Sequence, residues 1–278
     1  MLMIREEQMA VFEQAAVSNF ASRVYEHLQT FFPEHCQNLQ ADQVRAVIRF
    51  GLERAEHYQL VSERDVYLYV SLMFLLGSYF DEDPQLPWVT ERLKEQAPET
   101  ANTRMAPVYD QAMTLLDSMI GPENEYLRQT LGMLQQSQVF ESLPDAPSFG
   151  HRLLLLLQAL APQKYQVLGD SILRDLVRHG YGAAKQHGLT TERGAMIYLS
   201  LAFLLGSGFD RDLLYPWAAE VLANPALADP AQKGEALYAA ARKHLAKCPP
   251  GCSRRADLTE ALEMRPAKPY RRIVEEPD

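Results

Sequence analysis

Cysteine is scarce in this chain: Cys36, Cys248 and Cys252 are the only three in 278 residues. A closed zinc site wants four ligands, and no second pair accompanies the two in KCPPGCSRR. That pair leaves two states open, free thiols or a small disulfide loop in an oxidising compartment. Long apolar runs are missing as well. The longest, residues 72–76 and 153–157, fall far short of the roughly 18 residues of a spanning helix. Basic excess is absent: 27 Lys and Arg stand against 36 Asp and Glu, a net charge of −9. This disfavours nucleic acid, where cations must neutralise phosphates, and suits solubility or a basic protein partner. The alternation that marks half-buried strands is also missing. No nucleophile elbow, phosphate loop or dinucleotide fingerprint occurs. None of the seven histidines forms a paired metal motif, and His35-Cys36 is an isolated neighbour pair. The N-terminal MLMIREEQMAVFEQ has no basic region followed by an apolar block, as a secretory signal would. The expectation is a cytoplasmic chain, or a periplasmic one exported by a route the sequence does not display.

What the chain does contain is a repeat. Residues 62–88, SERDVYLYVSLMFLLGSYFDEDPQLPW, return 129 positions later as residues 191–217, TERGAMIYLSLAFLLGSGFDRDLLYPW. Fifteen of the 27 positions are identical without a gap. The register extends outward: Pro33 falls on Pro162, Arg49 on Arg178, Gly51 on Gly180, Leu93 on Leu222 and Tyr109 on Tyr238. Gapless spacing over such a length implies two copies of one folding unit.

Helical periodicity dominates each copy. Met9, Phe12, Ala16, Phe20, Val24 and Leu28 recur at steps of three and four, which predicts a helix over 4–31 that Pro33 stops. Asp42 is placed to cap the next helix, and Ser62 with its acidic first turn to cap the third. That third helix, about 64–76, is apolar nearly all round and must be buried on most faces. Helices follow at about 88–96 and 105–120, with a connecting helix over 123–139. The second copy repeats the order at about 149–160, 166–187, 191–205, 215–223 and 230–247. A short helix is predicted over 256–264. The expected fold is therefore all-α, two tandem copies packed as a pseudo-symmetric bundle. Repeat one spans 1–120, a connecting helix and loop 121–148, repeat two 149–247, and a Pro-containing tail 248–278. Phe74, Leu75 and Trp88, with Phe203, Leu204 and Trp217, are the expected repeat core.

The duplicated FDxD loop carries the candidate chemistry: Asp81, Glu82 and Asp83 in one copy, Asp210, Arg211 and Asp212 in the other. Two carboxylates two residues apart can bind a hard cation, but the further oxygens and closing Glu of an EF-hand loop are missing. The same side chains can cap the following helix while the tryptophan plugs the core. Histidines are not preserved between copies, since Phe50 falls opposite His179 and Tyr58 opposite His187. No catalytic residue, metal or cofactor is expected. The pattern favours a protein that binds another protein, with the acidic loops as the contact. A loop carboxylate can occupy the open position of a catalytic zinc.

The N-terminal half, MIREEQMAVFEQAAVSNFASRVYEHLQTFFPE followed by ERAEHYQLVSERDVY and the FD-to-PW loop, resembles a family of helical proteins of Gram-negative bacteria encoded beside type VI secretion effectors. The resemblance covers roughly residues 1–95. It implies an immunity protein paired with a secreted zinc-dependent peptidoglycan amidase, non-enzymatic and acting by blocking the effector's active site. A homodimer is compatible. The runner-up is a chaperone or adaptor that loads an effector onto the secretion apparatus. A third reading, a metal-dependent hydrolase using the paired aspartates, predicts bound divalent metal.

Overall fold

The computed structural model describes residues 6–95, 104–141, 146–247, 255–263 and 265. Those residues are helices joined by turns, with no β-strand among them. The first half runs α1 (Glu6–Phe31), α2 (Pro33–Asn38), α3 (Ala41–His57), α4 (Glu63–Leu76), α5 (Pro87–Lys94) and α6 (Ala106–Ile120). The short α7 (Glu125–Leu134) leads to α8 (Phe149–Leu160), α9 (Pro162–Gln186), α10 (Glu192–Leu205), α11 (Pro216–Ala223) and α12 (Pro230–Leu245). A last helix, α13 (Arg255–Glu263), closes the described chain. No helix among the described residues is long and apolar enough to cross a membrane.

Several bounds recur at the sequence spacing. Adding 129 to the limits of α4 gives those of α10, and adding it to those of α5 gives those of α11. The long α9 contains a break at Gly169, whose φ is 79°. Its part beyond the break, 170–186, matches α3 at the same offset, and its part before the break covers the positions of α2.

Helices α4 and α10 are central because their sequences leave no polar face. Eleven of the fourteen residues of α4 are buried, and ten of fourteen in α10. Each large apolar side chain so enclosed contributes about 1.5–3 kcal/mol before entropy is charged. Both start with the expected hydroxyl cap. Ser62 Oγ accepts the Asp65 N–H at 3.0 Å, and Thr191 Oγ1 accepts the Gly194 N–H at 3.0 Å. Asp65 in turn accepts the N–H groups of Arg104 and Met105, both at 2.9 Å, and so fixes the entry to α6.

One clamp occurs twice. The Arg104 guanidinium donates to the carbonyls of Tyr58 and Leu93. Lys233, 129 residues on, donates through Nζ to the carbonyls of His187 and Leu222, both at 3.1 Å. These acceptors are themselves 129 residues apart, so in both halves a cation ties the end of the third helix to the end of the fifth.

Local expectations are corrected at four places. The cap of α3 is Gln40, which exchanges hydrogen bonds with Gln43; Asp42 sits exposed in the first turn. Pro33 ends α1 but also begins α2, because a helix can start on proline without losing a bond. The connecting helix stops at Leu134, and a 3-10 turn covers 137–140. The fifth helices begin after Leu86 and Tyr215, and neither is capped by a side chain. The repeat core divides. Phe74 and Phe203 are buried, whereas Leu75, Leu204, Trp88 and Trp217 are half-buried against the core. Part of the tail returns to the first half: Leu258 and Leu262 of α13 are buried, and the Arg265 guanidinium lies 4.3 Å from the Tyr67 ring centre. Cys248 and Cys252 lie outside the described residues.

Candidate functional site

The two FDxD loops meet each other. Helix α4 ends on Gly77 at φ 97°, and α10 ends on Gly206 at φ 99°. A Cβ on Gly77 would stand 2.8 Å from the Leu205 carbonyl oxygen, and one on Gly206 3.1 Å from that of Leu76. Only glycine combines this backbone with such an approach. The serine after each glycine then reaches the opposite loop. Ser78 donates its N–H to Asp212 Oδ2 at 2.7 Å and its hydroxyl to Asp212 Oδ1 at 2.5 Å. Ser207 donates its N–H to Asp83 Oδ2 at 2.9 Å. Each aspartate also closes its own turn, with Asp83 accepting from Gln85 N and Asp212 from Leu214 N, both at 2.9 Å. Burial raises the pKa of both carboxyls, while these hydrogen bonds oppose the rise.

The first aspartate of each loop faces inward within its own half. Tyr69 donates to Asp81 Oδ2 and Tyr198 to Asp210 Oδ2, each at 2.8 Å. Arg54 pairs with Asp81, its Nε at 2.9 Å, while in the other half His187 Nε2 lies 2.7 Å from Asp210. Desolvation by itself would raise the Asp210 carboxyl; His187 and Tyr198 outweigh it and hold the pKa below the ordinary value.

Of the six residues expected at a partner surface, Asp81, Asp83 and Asp212 are thus buried and Asp210 is half-buried. Glu82 and Arg211 remain exposed, 45% and 60% by side chain. They lie 3.5 Å apart, and the Arg211 guanidinium rests 4.2 Å from the Tyr79 ring centre. The sequence repeats both the carboxylates and, at Gly77-Ser78 and Gly206-Ser207, the residues that receive them, and only the packing joins the two. The signal was their co-occurrence at one spacing in both copies.

A cavity of about 270 Å³ lies beside this crossing, between the ends of α4 and α10. Leucines 75, 76, 204 and 205 line it, and Leu127 and Leu131 reach it from α7. Its polar lining includes Asp83, Gln85, His35, Lys164 and His244. His35 and Lys164 are 129 residues apart, so one position of the repeat supplies an imidazole from one half and an ammonium from the other. Desolvation, with His244 nearby, lowers the His35 pKa to about 4 and leaves the ring neutral. Desolvation also lowers His244, assisted by Lys247. Lys164 keeps some exposed surface, yet protein crowds its ammonium enough to lower the pKa to about 8, against the pull of Asp83.

His35 and Cys36 do not form an activated pair. Burial pushes the Cys36 thiol up to about 11 while the imidazole is pushed down, opposite to what a thiolate–imidazolium couple requires. No group of three or more His, Cys, Asp or Glu that could hold a metal occurs among the described residues. No family profile, curated protein or solved structure matches the chain.

Proposed function

We propose that this chain is a non-enzymatic binding protein, the immunity partner of a secreted toxic effector of the peptidoglycan-amidase class. It consists, on this reading, of two copies of one helical unit packed about an approximate twofold axis through the crossed FDxD loops. The twofold is supported by the recurring helix bounds, the exchanged Ser–Asp hydrogen bonds and the Arg104/Lys233 clamps. The observation that carries the binding reading is the use made of the four repeated aspartates. Each has at least one carboxylate oxygen held by fixed donors of this chain, although Asp81 Oδ1 is buried without a partner among the described residues, so most of the motif is consumed in the scaffold and is poorly placed for cation binding or proton transfer. Glu82 and Arg211 are what the two loops leave outside, beside Tyr79, on a molecule of net charge −9. A rigid block presenting paired charges and an aromatic ring suits contact with another protein.

The test is inhibition. Titrating the cognate amidase with this chain is expected to abolish peptidoglycan hydrolysis at equimolar ratio. Glu82→Arg is expected to weaken the complex at least tenfold while the fold stays intact. A tight complex in which the amidase remains fully active would replace the immunity reading with that of a loading adaptor. Absence of binding to any effector encoded beside it would remove both.

A further inference from the structure

The two halves differ in what covers their central helices. Tyr109 and Tyr238 share one repeat position, and each holds a segment that lies outside the repeat. Tyr238 donates to the Leu134 carbonyl at 2.6 Å, and its ring meets that of Phe140 edge-on at 5.1 Å between centres. The 3-10 turn over 137–140 packs on α10, as α13 packs on α4. On the first half the seat thus belongs to the tail. Leu258 and Leu262, one helical turn apart, are 0% and 1% exposed, and the Tyr109 hydroxyl lies 3.3 Å from Thr259 Oγ1. Beneath the tail the first half is polar where the second is apolar, since His27 falls on Leu156 and Tyr67 on Met196. The buried His27 has Nε2 3.2 Å from Ser71 Oγ and Nδ1 3.4 Å from Arg265 Nη2. A guanidinium only donates, so Nδ1 accepts and the proton of the neutral ring sits on Nε2. Tyr67 Oη and Arg265 Nε are buried with no partner among the described residues. Docking therefore gains two leucines but leaves two polar groups unsatisfied, which weakens the hold of the tail.

We propose that α13 and Arg265 form an acid-releasable strap on the first half, whose docking and the protonation of His27 exclude each other. A proton on Nδ1 removes the acceptor that Arg265 uses and sets two cations together. The neighbouring charges do not offset this: Arg23 and Glu63 pair with each other at 2.8 Å, and Glu26 is exposed to solvent. Desolvation first and Arg265 second lower the docked imidazole's pKa to about 3. Departure of the tail removes the second influence and part of the first, so the released ring lies nearer its ordinary value of about 6.5. It then takes up a proton that the docked ring refuses. Docking is at full strength above about pH 6.5 and weakens toward pH 3, by no more than about tenfold per pH unit because one proton is involved. This inference stands apart from the effector reading and survives its failure.

Amide deuterium exchange of the full chain, read by mass spectrometry and corrected for the intrinsic rate, decides it. The protection of α13 is expected to lie below that of α10, the mark of local opening rather than global unfolding. Its ratio to α10 is expected to fall by about fivefold or more between pH 7 and pH 4.5. His27→Gln is expected to abolish that relative fall, as is His27→Leu, which installs the residue of the second half. Melting followed by circular dichroism shows which variant is folded; if neither is, the wild-type ratio alone decides. Protection of α13 equal to that of α10 would overturn the proposal, as would a ratio unchanged with pH, or the same fall in a folded His27 variant.

Discussion

Replacing Asp212 by alanine removes the acceptor of three donors in one step. They are the Ser78 N–H, the Ser78 hydroxyl and the Leu214 N–H, at 2.7, 2.5 and 2.9 Å. Asp212 is 3% exposed and Ser78 is fully buried, so water does not readily replace the lost oxygen atoms. The hydroxyl can rotate toward another acceptor, but the two N–H groups are fixed by the backbone. Each orphaned donor costs about 1–3 kcal/mol, giving about 2–6 for the pair. Relief of the buried carboxylate's desolvation returns part of this, since burial is the largest influence raising its pKa. The expected loss is about 3 kcal/mol, a large share of the roughly 5–15 kcal/mol of a typical domain. Asp212→Asn keeps one accepting oxygen and should lose about half as much. Asp83→Ala removes the acceptor of Ser207 N–H and Gln85 N–H and should match Asp212→Ala. Urea unfolding reads these losses as midpoint shifts at constant slope, with Glu82→Ala, whose exposed carboxylate accepts from Arg54 Nη2 at 2.8 Å, as the control within about 1 kcal/mol. If both crossings belong to one junction, the double variant will be less destabilised than the sum. A midpoint for Asp212→Ala no lower than that of Glu82→Ala would refute the reasoning.

Gly206→Ala forces a side chain onto a φ of 99° and brings its Cβ to 3.1 Å from the Leu76 carbonyl oxygen. A loss of about 2–4 kcal/mol is expected in the same urea assay, of which the backbone strain is about 1–3; a neutral effect would mean the loops separate freely. Arg54→Leu leaves the fully buried Asp81 with Tyr69 as its remaining donor, and is expected to cost about 3–5 kcal/mol. Arg211→Leu, at an exposed pair, should cost less than about 1 kcal/mol, and equal midpoints for the two variants would contradict the assignment. His27 is buried against Ser71, and desolvation lowers its pKa to about 3. From about pH 6.5 downward the unfolded chain therefore takes up a proton that the folded chain refuses. Its contribution to stability is full above pH 6.5 and falls by about 1.4 kcal/mol per pH unit toward pH 3. The raised carboxyls of Asp65, Asp83 and Asp212 act in the opposite sense at low pH, equally in wild type and variant. His27→Gln should flatten the wild-type decline in urea midpoint between pH 6 and 4.5, and an identical slope would exclude the buried-neutral account.

Much of the helical order was legible without coordinates. Periodicity placed the end of α1 and both ends of α4 and α10 within about one residue, because a helix that buries an apolar face must repeat near 3.6 positions; the expected start of α1 at residue 4 lies outside the described residues. Ser62 was readable as a cap because that interaction spans three residues. Gln40 was not, since a glutamine pair has no fixed signature beside the nearer Asp42. Gly169 read as an ordinary helical position, and only its positive φ marks the break within α9.

The loops resisted the same approach. The duplication of Asp81–Asp83 as Asp210–Asp212 is visible in the letters, and their charge suggests an outward, partner-facing surface. Their burial follows from pairings with no sequence proximity: Ser78 meets Asp212 134 residues away, and Ser207 meets Asp83 124 residues away. The cavity has the same origin, since His35 and Lys164 converge only when the two halves are packed. Helices arise from hydrogen bonds four residues apart, so the chain carries their pattern locally. Whether a carboxylate is solvated or enclosed depends on which distant backbone amides are brought to it, and only the packed structure supplies them.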